Sequence, residues 1–312
     1  MMIGSRHSAP AKIILFGEHA VVYGQPAIAA PVSDLRASAI IEANPPNRSG
    51  LHIALPHIDF PVSIAAETLD NALALTLRLV LDALEADPPD VTLRIDSQIP
   101  IASGLGSGAA VSTALARALC AAVGQTLDAD RLNALIFEVE KIHHGTPSGI
   151  DNTVIVHERP IYYVKDQPIE SVSVGTPLHI LIADTGIGAS TRVAIAAVRT
   201  LWESEPARIQ PILDDIGAIV RAARIAIEIG DSAALGDLMA RNHAHLQTLT
   251  VSSPELDRLV DAAVSAGARG AKLSGGGRGG NLIALIDPDT ESDVRAALLD
   301  AGAARIVTTV IR

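Results

Sequence analysis

Residues 100–110 read PIASGLGSGAA, and the rest of the chain is organised around them. Pro100 closes a strand-like run at 91–95, and Gly104, Gly106 and Gly108 follow at alternate positions. The sequence beyond, AAVSTALARALCAAVG, is rich in alanine and leucine, so a helix is predicted to begin at Ser107 or Gly108. A glycine turn that enters a helix leaves several backbone N–H groups without intrahelical partners, all aimed one way. Together with the helix dipole they form a site for an anion, most often a phosphate. A strand–helix turn with no ligand has the same local sequence, so both readings stand at this point.

The 312 residues suit two domains better than one core. Hydrophobic residues make up 48% of the chain, with only one Trp, three Tyr and three Phe, so the core must be built from Ala, Leu, Ile and Val. A net charge of −11 argues against a nucleic-acid partner and requires any anionic substrate to find its positive field locally. Cys120 is the lone cysteine, which excludes a disulfide within the chain and fits a reducing compartment. No signal-peptide pattern opens the sequence, and Arg78, Asp82 and Arg117 interrupt the longest apolar runs. A cytoplasmic protein with no membrane span is expected.

Before the glycine turn, residues 9–16 read as a strand. The apolar runs 20–22 and 27–30, flanking Gly24, Gln25 and Pro26, read as strand, turn, strand. Lys12 lies among apolar neighbours, where a lysine ordinarily turns its ammonium to solvent. Residues 44–50 form a loop, and 65–84 carry apolar residues at helical spacing.

After the turn, Asp128 is a predicted N-cap for a helix stopped by Gly145. Glu140 and His144 share a face of that helix. With Glu138 and His143 the cluster matches no zinc spacing, although a carboxylate there suits Mg²⁺. In TPSGIDNTVIV, Asp151 stands at the mouth of an apolar segment read as a strand, as a local backbone cap or as a base. The polar stretch 165–177 is the expected domain boundary, giving domains 1–170 and 171–312.

Beyond it, a buried-type strand (178–184) leads to helices at 191–204, 211–229 and 233–249, the first capped by Ser190 or Thr191. Ser253 and Pro254 start another helix that Gly267 stops. Strands at 271–273 and 281–287 flank the loop SGGGRGG. Thr290 and Asp293 are read as a capping box, and RIVTTVIR is a last strand. The pattern predicts an α+β layered domain with helices on one face. Gly275, Gly277 and Gly280 fit the dinucleotide fingerprint, but a strand follows them where that motif needs a helix, so the reading is rejected. No G-x-x-x-x-G-K-S/T motif occurs.

PAKIILFGEHAVVYGQPAIA (10–29), PIASGLGSGAA (100–110) and KLSGGGRGGNLIAL (272–285) occur in an order that resembles the GHMP kinases. The first stretch and HHGTPSGIDN (143–152) are similar to the mevalonate kinase branch. The resemblance implies an α+β fold with an N-terminal domain of the ribosomal S5 domain 2 type and a ferredoxin-like C-terminal domain, ATP and acceptor lying between them. It also implies transfer of the ATP γ-phosphate to the 5-hydroxyl of (R)-mevalonate, with Mg²⁺, and a homodimer. Pro100, Ala102, Ser103, Gly104, Leu105, Gly106, Ser107, Gly108 and Ala109 would then wrap the ATP phosphates, with Gly276 and Arg278 from the later loop. Lys12 matches the active-site lysine and Asp151 the base on the attacking hydroxyl. Glu18, His19 and Thr191 match the acceptor side, and Glu140 matches the Mg²⁺ ligand.

Two positions depart from the family pattern. Where GLGSSAA carries a second serine that often ligates Mg²⁺, this chain has Gly108, which leaves Glu140, ATP oxygens, water and Ser107 to complete the shell. Where GAGGGG is all small, Arg278 intervenes, its guanidinium either on a phosphate oxygen or in solvent. A kinase of an already phosphorylated acceptor should carry extra basic residues near its substrate, and the first 60 residues hold only Arg6, Lys12, Arg36 and Arg48. A non-catalytic nucleotide sensor would have no use for Lys12, Glu140 and Asp151 together.

Overall fold

The computed structural model describes residues 3–55, 62–63, 71–100, 103–144, 147–188 and 190–312. The readings placed on 65–70, Ala102 and Gly145, and on the side chains of His143 and His144, fall outside them. The chain forms two compact units. One comprises Met1–Ala11, Leu35–Ile101 and Gly106–Glu158; the other comprises Lys12–Asp34, Ala102–Leu105 and Arg159–Arg312. Two early segments therefore group with the C-terminal residues, and the main chain boundary lies at Glu158–Arg159.

Strands β1 (Arg6–Phe16) and β2 (Ala27–Glu42) pair with each other. In the first unit the sheet continues through β3 (Leu51–Ala54), β4 (Val62–Ser63) and β5 (Val91–Ser97). Strands β2 and β5 run antiparallel with Ala37 opposite Ser97, and β3 runs parallel to β5 with Leu51 opposite Val91. Helix α1 (Ala72–Leu84) begins where the Asn71 side chain accepts from the N–H groups of Leu73 and Ala74, and it buries Leu77, Val80, Leu81 and Leu84. It packs on α2 (Ser107–Val123) and α3 (Ala129–His144). Helix α2 buries mainly alanine and leucine, with Ser112, Thr113 and Cys120, which allows close approach to its neighbours.

Residues 150–157 are helix α4 (Ile150–His157), not the expected strand. Six of its eight residues are buried, so it shows no helical period, and an apolar run this short cannot be told from a strand by pattern. Gly149, left-handed at φ 90°, makes the entry, and the Thr153 hydroxyl donates to its carbonyl at 2.7 Å.

In the second unit, residues 20–23 form a 3-10 helix rather than a strand. Val21 and Gln25 donate their N–H groups to the Gly17 and Ala20 carbonyls, at 3.2 Å each, and Gly24 ends the turn at φ 81°. Strand β2 pairs at Ala27 with Tyr163 of β6 (Ile161–Tyr163), which pairs with β7 (Glu170–Ser171). A separate sheet contains β8 (Leu178–Asp184), β9 (Gly270–Ser274), β10 (Asn281–Ile286) and β11 (Arg305–Ile311) in the order β11-β8-β10-β9. All three pairings are antiparallel. With helices in both crossovers, this is the ferredoxin-like β–α–β–β–α–β arrangement.

Helices α5 (Thr191–Ser204), α6 (Pro206–Ile229), α7 (Ser232–Thr248), α8 (Pro254–Ser265) and α9 (Glu291–Asp300) complete this unit. Helix α6 starts five residues before the expected 211, because Pro206 takes the first helical position, where a missing N–H costs nothing. The capping box at Thr290 does not form. Thr290 has helical φ and ψ, and its hydroxyl donates to the Asp287 carbonyl at 3.1 Å. Strand β10 is buried at every residue, so both faces of the sheet are covered rather than one. Ile180, Ile283 and Leu285 meet Leu15, Phe16, Ile227, Leu235 and Met239 on one of them.

Candidate active site

In the first unit, α2 opens at Ser107 behind Gly106, which is left-handed at φ 73° and offers no side-chain cap. The first intrahelical bond runs from Ala110 N–H to the Gly106 carbonyl at 2.9 Å. The N–H groups of Ser107, Gly108 and Ala109 therefore have no intrahelical acceptor, which is the geometry that holds an anion. Gly108 is exposed and Ala109 buried.

Asp151 sits half-buried in the first turn of α4, at the positive end of its dipole. Its neighbours pin that turn: the Asn152 amide donates to Asn133 Oδ1 at 2.6 Å, and Asn133 donates to Thr153 Oγ1 at 3.2 Å. Glu140 is a buried carboxylate on α3, 3% exposed. Among the described residues no cluster of His, Cys, Asp and Glu forms a ready-made metal cage. A lone carboxylate such as Glu140 suits a hard ion that keeps water and phosphate oxygens, as Mg²⁺ does.

The second unit gathers Lys12, Glu18, His19, Ser103, Gly104, Leu105, Thr191, Gly276 and Arg278. Lys12 is 4% exposed, contrary to the solvent-facing placement its neighbours suggested. Its backbone N–H donates to the Leu105 carbonyl at 3.0 Å, which fixes β1 against the glycine turn. Asn281 holds the same turn from the other side, donating its amide to the Ser103 carbonyl.

Ser103, Gly104, Thr191, Ser274, Gly276, Gly277, Gly279, Gly280 and Asn281 line a small open concavity. Three of its glycines, Gly276, Gly277 and Gly279, leave no room for a Cβ. A Cβ on Gly276 would lie 2.7 Å from Thr191 Oγ1, and one on Gly277 would lie 2.0 Å from the Val251 carbonyl oxygen. Ser190 caps α5 by accepting from Val193 N–H at 3.4 Å, and this places Thr191 against Gly276.

His19 is buried with its backbone at φ 62°, a strained conformation for a residue with a Cβ. Its Nε2–H donates to the Gly276 carbonyl at 3.0 Å, which fixes the tautomer and leaves Nδ1 with a lone pair. Burial lowers its pKa to about 4, so the ring is neutral at pH 7. In the unfolded chain the ring takes a proton near pH 6.5. Its contribution to stability is therefore complete above pH 6.5 and lost as pH falls toward 4, by up to about 3 kcal/mol. In urea titrations, His19→Gln should flatten the decline of stability between pH 6.5 and 4. An unchanged decline would contradict the buried neutral ring.

Arg278 also has a left-handed backbone, φ 61°. Its N–H donates to the Val251 carbonyl at 2.7 Å, and its guanidinium Nε donates to the Thr250 carbonyl at 3.2 Å. The side chain thus ties the glycine loop to the α7–α8 connection, a partner neither sequence reading contained. Arg278→Ala should raise KM for ATP more than KM for the acceptor. Arg278→Gly, which suits φ 61°, should match it if the guanidinium matters and be milder if backbone strain does.

Lys272 escaped the sequence reading. It is fully buried on β9, and its ammonium donates to Glu18 Oε1 and, at 2.6 Å, to the Leu273 carbonyl. Burial pushes the Glu18 carboxyl up and the Lys272 ammonium down, and each is opposed by the other's charge. The available signal was a lysine inside an apolar strand, the same signal as Lys12.

The profile of the GHMP kinases N terminal domain matches residues 71–158, and that of the GHMP kinases C terminal domain matches 223–304. A mevalonate kinase of Thermococcus sibiricus is 39% identical over 98% of this chain and 96% of its own length. One of Pyrococcus abyssi is 37% identical over 97% of this chain and 94% of its own. Among solved structures, the L. major mevalonate kinase in complex with R-mevalonate superposes with a TM-score of 0.84 at 30% identity, covering 99% of this chain and 96% of that one. The Methanococcus jannaschii mevalonate kinase has a TM-score of 0.87 over 99% of this chain and 98% of that one; at 24% identity it supports the fold.

Proposed function

Since this chain belongs to the GHMP kinases, and within them to the mevalonate kinase family, we propose that it transfers the γ-phosphate of ATP to the 5-hydroxyl of (R)-mevalonate. The observation that carries this reading is the end-to-end match to mevalonate kinases, including one with R-mevalonate bound, in a chain that has Lys12, Glu140 and Asp151 at the matching motif positions.

Phosphoryl transfer needs alignment and charge stabilisation more than covalent help. The uncapped start of α2 would take phosphate oxygens on backbone N–H groups. Lys12, its ammonium already out of bulk water, would stabilise charge on the transferring phosphoryl group. Asp151 would accept the proton of the attacking hydroxyl late, as bond formation makes that proton acidic. Glu18, His19 and Thr191 would orient the acceptor; a neutral His19 can accept a hydrogen bond at Nδ1 without repelling a hydroxyl donor.

Glu140 and Ser107 would hold Mg²⁺ together with ATP oxygens and water, and the ion would supply charge neutralisation on the phosphates. With glycine at 108, that shell has one hydroxyl fewer than the family pattern. Among the described residues no helix is long and apolar enough to cross a membrane. A reducing, cytoplasmic setting fits the single buried thiol of Cys120.

The test is coupled ADP release with Mg-ATP against (R)-mevalonate, mevalonate 5-phosphate, homoserine and galactose. Turnover confined to mevalonate is expected. Preference for another acceptor would move the substrate assignment, and ATP binding without turnover on any of them would point to a sensor.

A further inference from the structure

The segment 14–19 is fastened to the segment 272–276 by three separate links. Glu18 meets the Lys272 ammonium, Ser274 Oγ donates to the Ile14 carbonyl at 2.8 Å and accepts from Ile14 N–H at 3.2 Å, and His19 donates to the Gly276 carbonyl. The first link is the costly one. Both side chains of the Glu18–Lys272 pair are 0% exposed, and taking two charges fully out of water is repaid only by near-ideal geometry.

An apolar pair of similar volume would hold β9 as well. The strand neighbours of Lys272 are Ala271 and Leu273, and Ile283 lies opposite it on β10, so packing there calls for no charge. The ammonium is nevertheless well provided for: it has Glu18 Oε1, the Leu273 carbonyl and the Phe16 ring, whose centroid is 6.0 Å away. Lys12 adds a second positive charge acting on Glu18. The carboxylate is not equally provided for. Glu18 Oε2 is buried and has no hydrogen-bond partner among the described residues. A buried carboxylate held firmly by one oxygen and open at the other is arranged for a donor that arrives later.

We propose that Lys272 is a positioning residue for the acceptor: its ammonium fixes one oxygen of Glu18, so that the second oxygen and the adjoining His19 ring are held ready for the acceptor's hydroxyl groups. Lys272 itself touches no reacting atom and acts through Glu18. The proposal rests on the mevalonate kinase reading, which places Glu18 and His19 on the acceptor side.

The test is a double-mutant cycle of Lys272→Met, Glu18→Gln and the pair, reading KM for acceptor, KM for ATP and kcat separately, with circular dichroism to confirm folding. Wild-type turnover on the acceptor panel is measured first and tests the functional reading; the cycle then uses whichever acceptor the wild type phosphorylates, so the two fail separately. Lys272→Met should raise acceptor KM at least about tenfold and leave ATP KM within about threefold. In the Glu18→Gln background the same substitution should change acceptor KM by less than about twofold. If Lys272→Met alone does not fold, Glu18→Gln and the double variant decide, since the double leaves no lone buried charge; equal acceptor KM supports the proposal. A parallel rise of both KM values, an acceptor KM unmoved by Lys272→Met, or an undiminished effect in the Glu18→Gln background would overturn it. So would a wild type that turns over no acceptor.

Discussion

Lys12→Met should lower kcat on (R)-mevalonate by at least about a hundredfold, the equivalent of about 3 kcal/mol of lost transition-state stabilisation. Lys12 is 4% exposed, and its backbone is locked in register with the glycine turn through the Leu105 carbonyl. An ammonium kept out of water is costly unless anions compensate it. Glu18 feels its charge, and a transferring phosphoryl group would be a second and stronger partner. Methionine has nearly the same length, and thermal unfolding measured beside kcat separates loss of turnover from loss of fold. An unchanged kcat would return Lys12 to a purely structural part.

Asp151→Asn should have an effect of similar size, at least about a hundredfold on kcat, with KM for ATP within a few-fold of wild type. The substitution keeps the shape of the side chain, and the α4 entry turn keeps its bonds among Gly149, Asn133, Asn152 and Thr153. What it removes is the proposed proton acceptor. An alcohol can still lose its proton to water late in the reaction, so a residual rate is expected rather than none. Near-native turnover would remove Asp151 from the role of base.

The parts of the fold legible in the sequence are those whose signal is local. Strand β8 matches its observed limits because LHILIAD, apolar at five of seven positions, stands between polar segments. Helix α8 announced its start through Ser253 and Pro254, and the Ser253 side chain does cap Leu256 N–H. The glycine turn was legible for the same reason: left-handed backbone at Gly104 and Gly106 is a property of those residues alone.

What could not be read depends on distant parts of the chain. Helix α4 is enclosed on nearly all sides, and that enclosure erases the period by which a helix is recognised. Arg278 finds Thr250, 28 residues away, and Lys272 finds Glu18, 254 residues away. No spacing rule links such positions. In isolation, a lysine in an apolar strand reads as solvent-facing, and both Lys12 and Lys272 are buried because tertiary packing covers both sides of their strands.

The most direct test of the central claim is identification of the product by ³¹P and ¹³C NMR after incubating the enzyme with Mg-ATP and (R)-mevalonate. The predicted result is stoichiometric ADP and a single phosphomonoester whose phosphorus couples to carbon 5. Phosphate on another oxygen, or ADP accompanied only by inorganic phosphate, would contradict the account.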